Sequence, residues 1–140
     1  MIDILGTITY SIVGFILMLI GNFLVDLVIP CHFPTEIKKG NTAVGCISAA
    51  SFISVGILLR SVIASPTIQN ANITILQDLT STVSYFILGI ALCILGYISM
   101  LVFNKKYNLN EEIGNGNTAA GVMISGIFIG LSILISGAIQ

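Results

Sequence analysis

Charge is what this sequence has least of. Lys and Arg number 5 and Asp and Glu 6 in 140 residues, 8% of the chain, where soluble domains carry roughly a quarter. A surface that faces water on all sides cannot be built from so few. The formal net charge of −1 supplies neither a polybasic face for nucleic acid or anionic lipid headgroups nor a strongly acidic one, so nucleic-acid binding is excluded. Tryptophan is absent and histidine occurs once. Three cysteines cannot close into pairs. Cys46 and Cys93 fall inside apolar runs, where a thiol packs as a small polarizable group. Cys31 sits beside His32, but two adjacent ligands without a second spaced pair do not make a zinc site. No spaced set of His, Cys and carboxylates supplies a nucleophile with its base or a metal with its ligands. The sequence therefore predicts no enzyme, no metal and no cofactor, and Glu111 and Glu112, beside Lys105 and Lys106, read as a solvated connection.

What the chain has instead is apolar length. Hydrophobic residues make up 56% and the mean hydropathy is +1.06. A bilayer core of about 30 Å takes about 20 apolar residues in helix to cross. Four runs meet that length: residues 4–29, interrupted by Asn22 and Asp26 near the end; 42–64, with Arg60 as the one charge; and 80–103 and 118–140, both uncharged. The predicted fold is an all-α membrane protein of four transmembrane helices, a single domain over 1–140. Met1-Ile2-Asp3 has no basic region and the run that follows exceeds a signal core, so the first helix is expected to remain as a span. Lys38 and Lys39 lie between the first and second spans, Lys105 and Lys106 between the third and fourth, and none between the second and third. Loops 30–41 and 104–117 are thus expected to be cytoplasmic and both termini outside. Asn72-Ile73-Thr74 in the outer loop is a formal glycosylation acceptor, and Asp78 is placed to start the third helix.

Gly40-Asn41-Thr42-Ala43 recurs as Gly116-Asn117-Thr118-Ala119, and each copy opens an apolar run. The match continues: Gly45, Phe52, Ile53, Ile57, Leu58 and Ile63 meet Gly121, Phe128, Ile129, Ile133, Leu134 and Ile139. Tyr10, Gly14, Leu17 and Gly21 meet Tyr85, Gly89, Leu92 and Gly96. Repeat one covers about 4–64 and repeat two about 80–140. A unit of two spans returns the chain to its starting side, so the two-helix repeats are expected to be parallel, related by an axis along the membrane normal.

Helices in lipid associate by close packing, which small residues permit. Gly14 and Gly21, Gly89 and Gly96, Gly45, Gly121, and the G-x-x-x-G of Gly126 and Gly130 are the candidate packing or oligomer positions. Asn41 and Asn117 are placed as N-caps, with Gly40 and Gly116 relaxing the entry angle and Thr42 and Thr118 starting the helices. Asn22, Asp26, Ser125, Ser132 and Ser136 make up a candidate polar path, because polar groups inside a span are functional candidates by default. Asp26 and Arg60 lie near opposite ends of their spans, where each can snorkel to water. Neither is matched in the other repeat.

Through Asn41-Thr42-Ala43 with Gly45 and Asn117-Thr118-Ala119 with Gly121, the chain resembles the bacterial inner-membrane proteins of domain-of-unknown-function family 350, over nearly its whole length. The resemblance implies a multi-pass envelope protein of the inner (plasma) membrane, built from a duplicated two-span unit, with no established reaction or ligand to carry over. The leading expectation is a non-enzymatic homo-oligomer in contact with membrane lipid, a channel-like or envelope-stress component, since a four-helix interior is filled by side chains and a path needs several subunits. The alternative is a structural subunit that docks a membrane-protein partner. A small proton-coupled exporter ranks third, because Asp26 is terminal and the lysine bias opposes dual topology.

Overall fold

The computed structural model describes residues 4–64 and 75–139. The chain runs through α1 (Ile4–Val28), α2 (Phe33–Lys38), α3 (Thr42–Ile63), α4 (Ile75–Phe103), α5 (Leu109–Gly114) and α6 (Thr118–Ile139), with no strand among the described residues. The four long helices each carry a stretch apolar and long enough to cross a bilayer. This is an all-α membrane protein with four transmembrane helices, as its apolar runs require.

Local sequence sets most helix ends. Pro30 follows Ile29, and a proline both lacks the amide a helix needs and disfavours helical backbone in the residue before it, so α1 stops at Val28. The third long helix begins at Ile75 rather than Thr80, which puts Asp78 inside it instead of at its start. The Asn72-Ile73-Thr74 acceptor lies outside the described residues.

α3 is the central helix, packed on α1, α4 and α6. It runs antiparallel to α1: Gly14 lies against Leu59, Met18 against Gly56 and Gly21 against Val55. It runs parallel to α6, since Thr42 meets Thr118 at one end and Ser61 meets Ser136 at the other. Two apolar clusters fill the interior. Leu17, Val55, Leu59, Phe86 and Ile90 occupy the end near the α3 C-terminus. A larger cluster at the opposite end joins Val25, Phe33, Ile47, Tyr97, Ile113, Ile124 and Phe128. Tyr97, 1% exposed, donates its hydroxyl to Asn110 and so ties α4 to α5.

The packing is unequal between the halves. α4 meets both α3 and α6, whereas its sequence counterpart α1 packs on α3 and α4. Leu58 is 1% exposed and its counterpart Leu134 is 72% exposed. Identical residues thus end in opposite environments, because α3 is surrounded by three long helices and its counterpart α6 packs on two.

Candidate functional site

The short helices give the repeated tetrapeptide its shape. At the end of α2 the Gly40 amide donates to the Ile37 carbonyl at 3.0 Å and the Asn41 amide to the Glu36 carbonyl at 3.0 Å. At the end of α5 the Gly116 amide donates to Ile113 at 3.1 Å and the Asn117 amide to Glu112 at 2.9 Å. Gly40 and Gly116 both have φ +81, the left-handed conformation a helix stop of this kind demands. The next residue immediately starts the long helix. Asn41 Oδ1 accepts from the Val44 amide at 3.1 Å, and Asn117 Oδ1 from the Ala119 amide at 3.1 Å. One asparagine therefore closes one helix with its backbone and opens the next with its side chain. Its remaining group, Nδ2, donates to a carboxylate of the short helix: Asn41 to Glu36 at 3.1 Å and Asn117 to Glu112 at 2.5 Å.

The two corners touch. Thr42 and Thr118 share a hydrogen bond of 2.6 Å between their hydroxyls, and Asn41 Nδ2 also donates to the Ile113 and Gly114 carbonyls at 3.0 and 3.2 Å. A small cleft of about 320 Å³ lies between them, lined by Glu36, Lys39, Asn41, Thr42 and Gly116 among others. Hydrogen bonds from Lys39 and Asn41, with the Lys39 charge, hold the Glu36 carboxyl below its usual 4.5. The Cys31 thiol is pushed up to about 11, first by burial and then by the negative charges of Glu36 and Asp26, so it stays protonated and is a poor nucleophile. His32 is exposed and its ring lies 3.3 Å from the Thr35 hydroxyl. Among the described residues no three His, Cys, Asp or Glu side chains are grouped to hold a metal ion.

The polar residues of the spans are dispersed. Asp26 accepts from the Phe33 amide at 2.7 Å and so caps α2, whose own N-cap position, His32, makes no side-chain cap bond. In the second unit Asn108 caps α5 itself, accepting from the Glu111 amide. The two short helices are thus capped differently, α2 at its first amide by a residue of the preceding span and α5 at its third amide by its own N-cap residue. Asn22 accepts from the Ser48 and Ser51 hydroxyls at 2.9 and 2.8 Å, joining α1 to α3. The serines of α6 do not form an open face. Ser125 returns its hydroxyl to its own Gly121 carbonyl, Ser136 is bonded to Ser61, and Ser132 is fully buried beside the Cys93 thiol. Ser132 is enclosed within the chain, and the half-buried Ser136 spends its hydroxyl on α3.

The glycines divide into two sets. A Cβ at Gly121 would stand 2.5 Å from the Ala43 backbone, at Gly89 2.2 Å from Leu58, at Gly96 2.7 Å from Leu131 and at Gly21 2.8 Å from Val55, so these four carry close helix contacts within the chain. Gly14 leaves ordinary contact distance to Leu59, and Gly45, Gly126, Gly130 and Gly137 face open space. Gly45 and Gly121 occupy the same place in the repeat but different surroundings.

Three features escaped the sequence reading. The helices α2 and α5 are too short for an apolar period to show, although Glu36-Ile37 and Glu112-Ile113 stand at equal distance before the two Gly-Asn pairs and extend the repeat upstream. Ser48 and Ser51 gave no signal beyond their spacing from each other, since their partner lies on another helix. Gly137 continues the open face of α6 one step past the G-x-x-x-G pattern.

Residues 1–139 match the family described as Domain of Unknown Function (DUF350), and the chain belongs to it. It is also similar to a UPF0719 transmembrane protein of Aquifex aeolicus (strain VF5), 24% identical over 130 residues. That alignment covers 91% of this chain and 47% of the relative, so the chain spans about half the length of the curated relative it matches. No solved structure matches it.

Proposed function

We propose that this member of the DUF350 family is a non-enzymatic, homo-oligomeric, channel-like component of a bacterial inner membrane, assembled through the outer face of α6. The observation that carries this reading is the open set of glycines. Gly126, Gly130 and Gly137 are exposed, lie on one helix face by their spacing of four and seven, and would present an added Cβ to empty space. A glycine lowers helix propensity by about 1 kcal/mol relative to alanine. Lipid tails return nothing for that loss, whereas a second helix at close range does. Since apolar side chains fill the four-helix interior, a hydrated path would run between chains.

Two further readings belong with it. The duplicated corner, with the same αL glycine, asparagine cap and carboxylate in each half, supports an origin as two parallel two-helix repeats whose packing later diverged. Lys38, Lys39, Lys105 and Lys106 lie on the connections that carry α2 and α5, which supports a cytoplasmic location for loops 30–41 and 104–117 and outer termini.

Native mass spectrometry of the chain in lipid nanodiscs, with ion flux from liposomes holding the purified protein, tests this function. Self-oligomers are expected, together with flux above empty vesicles, and Gly126→Leu with Gly130→Leu is expected to yield monomers. A monomeric wild type, or flux equal to empty vesicles across several ions, contradicts it. A stoichiometric foreign protein crosslinked in native membranes, in place of a second copy, would favour a partner-binding subunit.

A further inference from the structure

A second feature lies on the opposite side of the bundle, in a groove of about 750 Å³ between α1 and α3, within the roughly 300–1,000 Å³ of small-molecule sites. On α1 it extends from Gly6 to Met18, about 18 Å at 1.5 Å per residue. The rest of the outer surface of α1 is bulky, with Leu5, Ile8, Ile12, Leu19 and Phe23 exposed, so the groove is a gap in an otherwise filled lipid-facing wall. Its lining joins Gly14 and Gly56 to Tyr10, Phe15, Leu59 and Ile63, with the flexible Met18 lying against Gly56 between the helices. Ser11 turns its hydroxyl to the Thr7 carbonyl of its own helix at 2.8 Å, so the lining is mainly apolar, with Thr7 and Tyr10 as its other hydroxyl-bearing residues.

Arg60 stands in this groove, in the last turn of α3. It is exposed, and among the described residues no carboxylate makes an ion pair with it. A guanidinium at the end of a span reaches the headgroup level by snorkelling, where lipid anions as well as water are within its reach. Its planar fork of donors matches the oxygens of a phosphate. The anion a membrane offers at that depth is the phosphodiester of a phospholipid, and an apolar channel leading away from it suits the acyl chain attached to the same molecule.

We propose that the α1–α3 groove binds an anionic phospholipid of the leaflet on the Arg60 side, its phosphate on Arg60 and the first part of an acyl chain along Gly14, Met18 and Gly56. In the second half the position of Arg60 is taken by Ser136, which is bonded to Ser61, so that position offers no guanidinium there.

Native mass spectrometry of the whole chain, released from nanodiscs that mix phosphatidylglycerol and phosphatidylcholine with identical acyl chains, tests this. One phosphatidylglycerol is expected to be retained per chain. Arg60→Gln should lower its preference over phosphatidylcholine about fivefold, the effect of one basic residue at an anionic surface. Ser11→Trp, which fills the groove, should lower the retention of both lipids, and millimolar inorganic phosphate should displace neither. The proposal is overturned if Arg60→Gln keeps the wild-type preference, if Ser11→Trp leaves retention unchanged, or if inorganic phosphate releases the lipid. Both side chains are exposed, so neither variant disturbs the buried packing.

Discussion

The hydroxyls of Thr42 and Thr118 stand 2.6 Å apart, so the two copies of one tetrapeptide meet at their own first helical residues. This contact fixes α3 and α6 side by side at one end. Each helix is in turn held by a corner whose glycine, asparagine and carboxylate are the same in both halves. The corners are alike in backbone and unlike in surroundings, and the predictions that follow separate the two properties.

Gly121 and Gly45 should respond in opposite ways to alanine. At Gly121 the new Cβ would stand 2.5 Å from the Ala43 backbone, which cannot move aside as a side chain would, while at Gly45 it meets nothing. Gly121→Ala is expected to destabilise by about 1–3 kcal/mol, as overpacking does, and Gly45→Ala to stay within about 0.5 kcal/mol. Thermal unfolding in detergent, followed by circular dichroism, checks both. Equal losses would show that the halves pack equivalently after all.

Asn41→Ala should cost more than Asn117→Ala. Both lose an N-cap bond, an effect of about 0.5–2 kcal/mol, but Asn41 also donates to the Ile113 and Gly114 carbonyls across the two halves. Hydrogen exchange at the first turns of α3 and α6 locates the damage: Asn41→Ala should speed exchange at both corners, Asn117→Ala at one.

Asp26 is expected to behave as a cap and not as a proton carrier. Asp26→Asn keeps an oxygen for the Phe33 amide and should leave stability within about 0.5 kcal/mol, whereas Asp26→Ala should cost about 1 kcal/mol, in the range of lost caps. Amide exchange at Phe33 is the readout. A proton-coupled efflux abolished by Asp26→Asn would reverse this assignment and restore the exporter.

Acid should loosen the first corner. The folded Glu36 carboxyl titrates below its ordinary 4.5 because Lys39 and Asn41 hydrogen-bond its charged form. A carboxylate with a lowered folded value contributes stability above its unfolded pKa and loses it as pH falls through the folded one. Melting temperature should therefore drop below about pH 4.5 in the wild type, and the drop should be shallower in Glu36→Gln. Parallel pH profiles for the two proteins would contradict the assigned bonds.

How much of this was legible depended on whether the signal was local. Four spans follow from run length, and the starts at Thr42 and Thr118 from a helix-starting asparagine just ahead of an apolar run. The helices α2 and α5 were not legible, because six residues hold less than two turns and show no period. Which glycine faces a neighbour and which faces outward was also hidden: Gly45 and Gly121 share a sequence context, and only the placement of α3 at the centre of the bundle separates them. The same holds for Leu58 and Leu134. Ser132 and Ser136 read as a polar face by spacing, yet that face is turned toward α3 and α4, where burial and pairing with Ser61 occupy it.

Disulfide trapping in native membranes bears most directly on assembly through α6. With Cys31, Cys46 and Cys93 replaced by serine or alanine, Gly130→Cys should form a self-crosslinked dimer on mild oxidation, because a bond between chains needs Cα atoms within about 7 Å. Leu19→Cys, on the exposed face of α1, should remain monomeric under the same conditions. A Gly130→Cys protein that stays monomeric, or a Leu19→Cys protein that crosslinks as strongly, would contradict an oligomer built on the open glycine face.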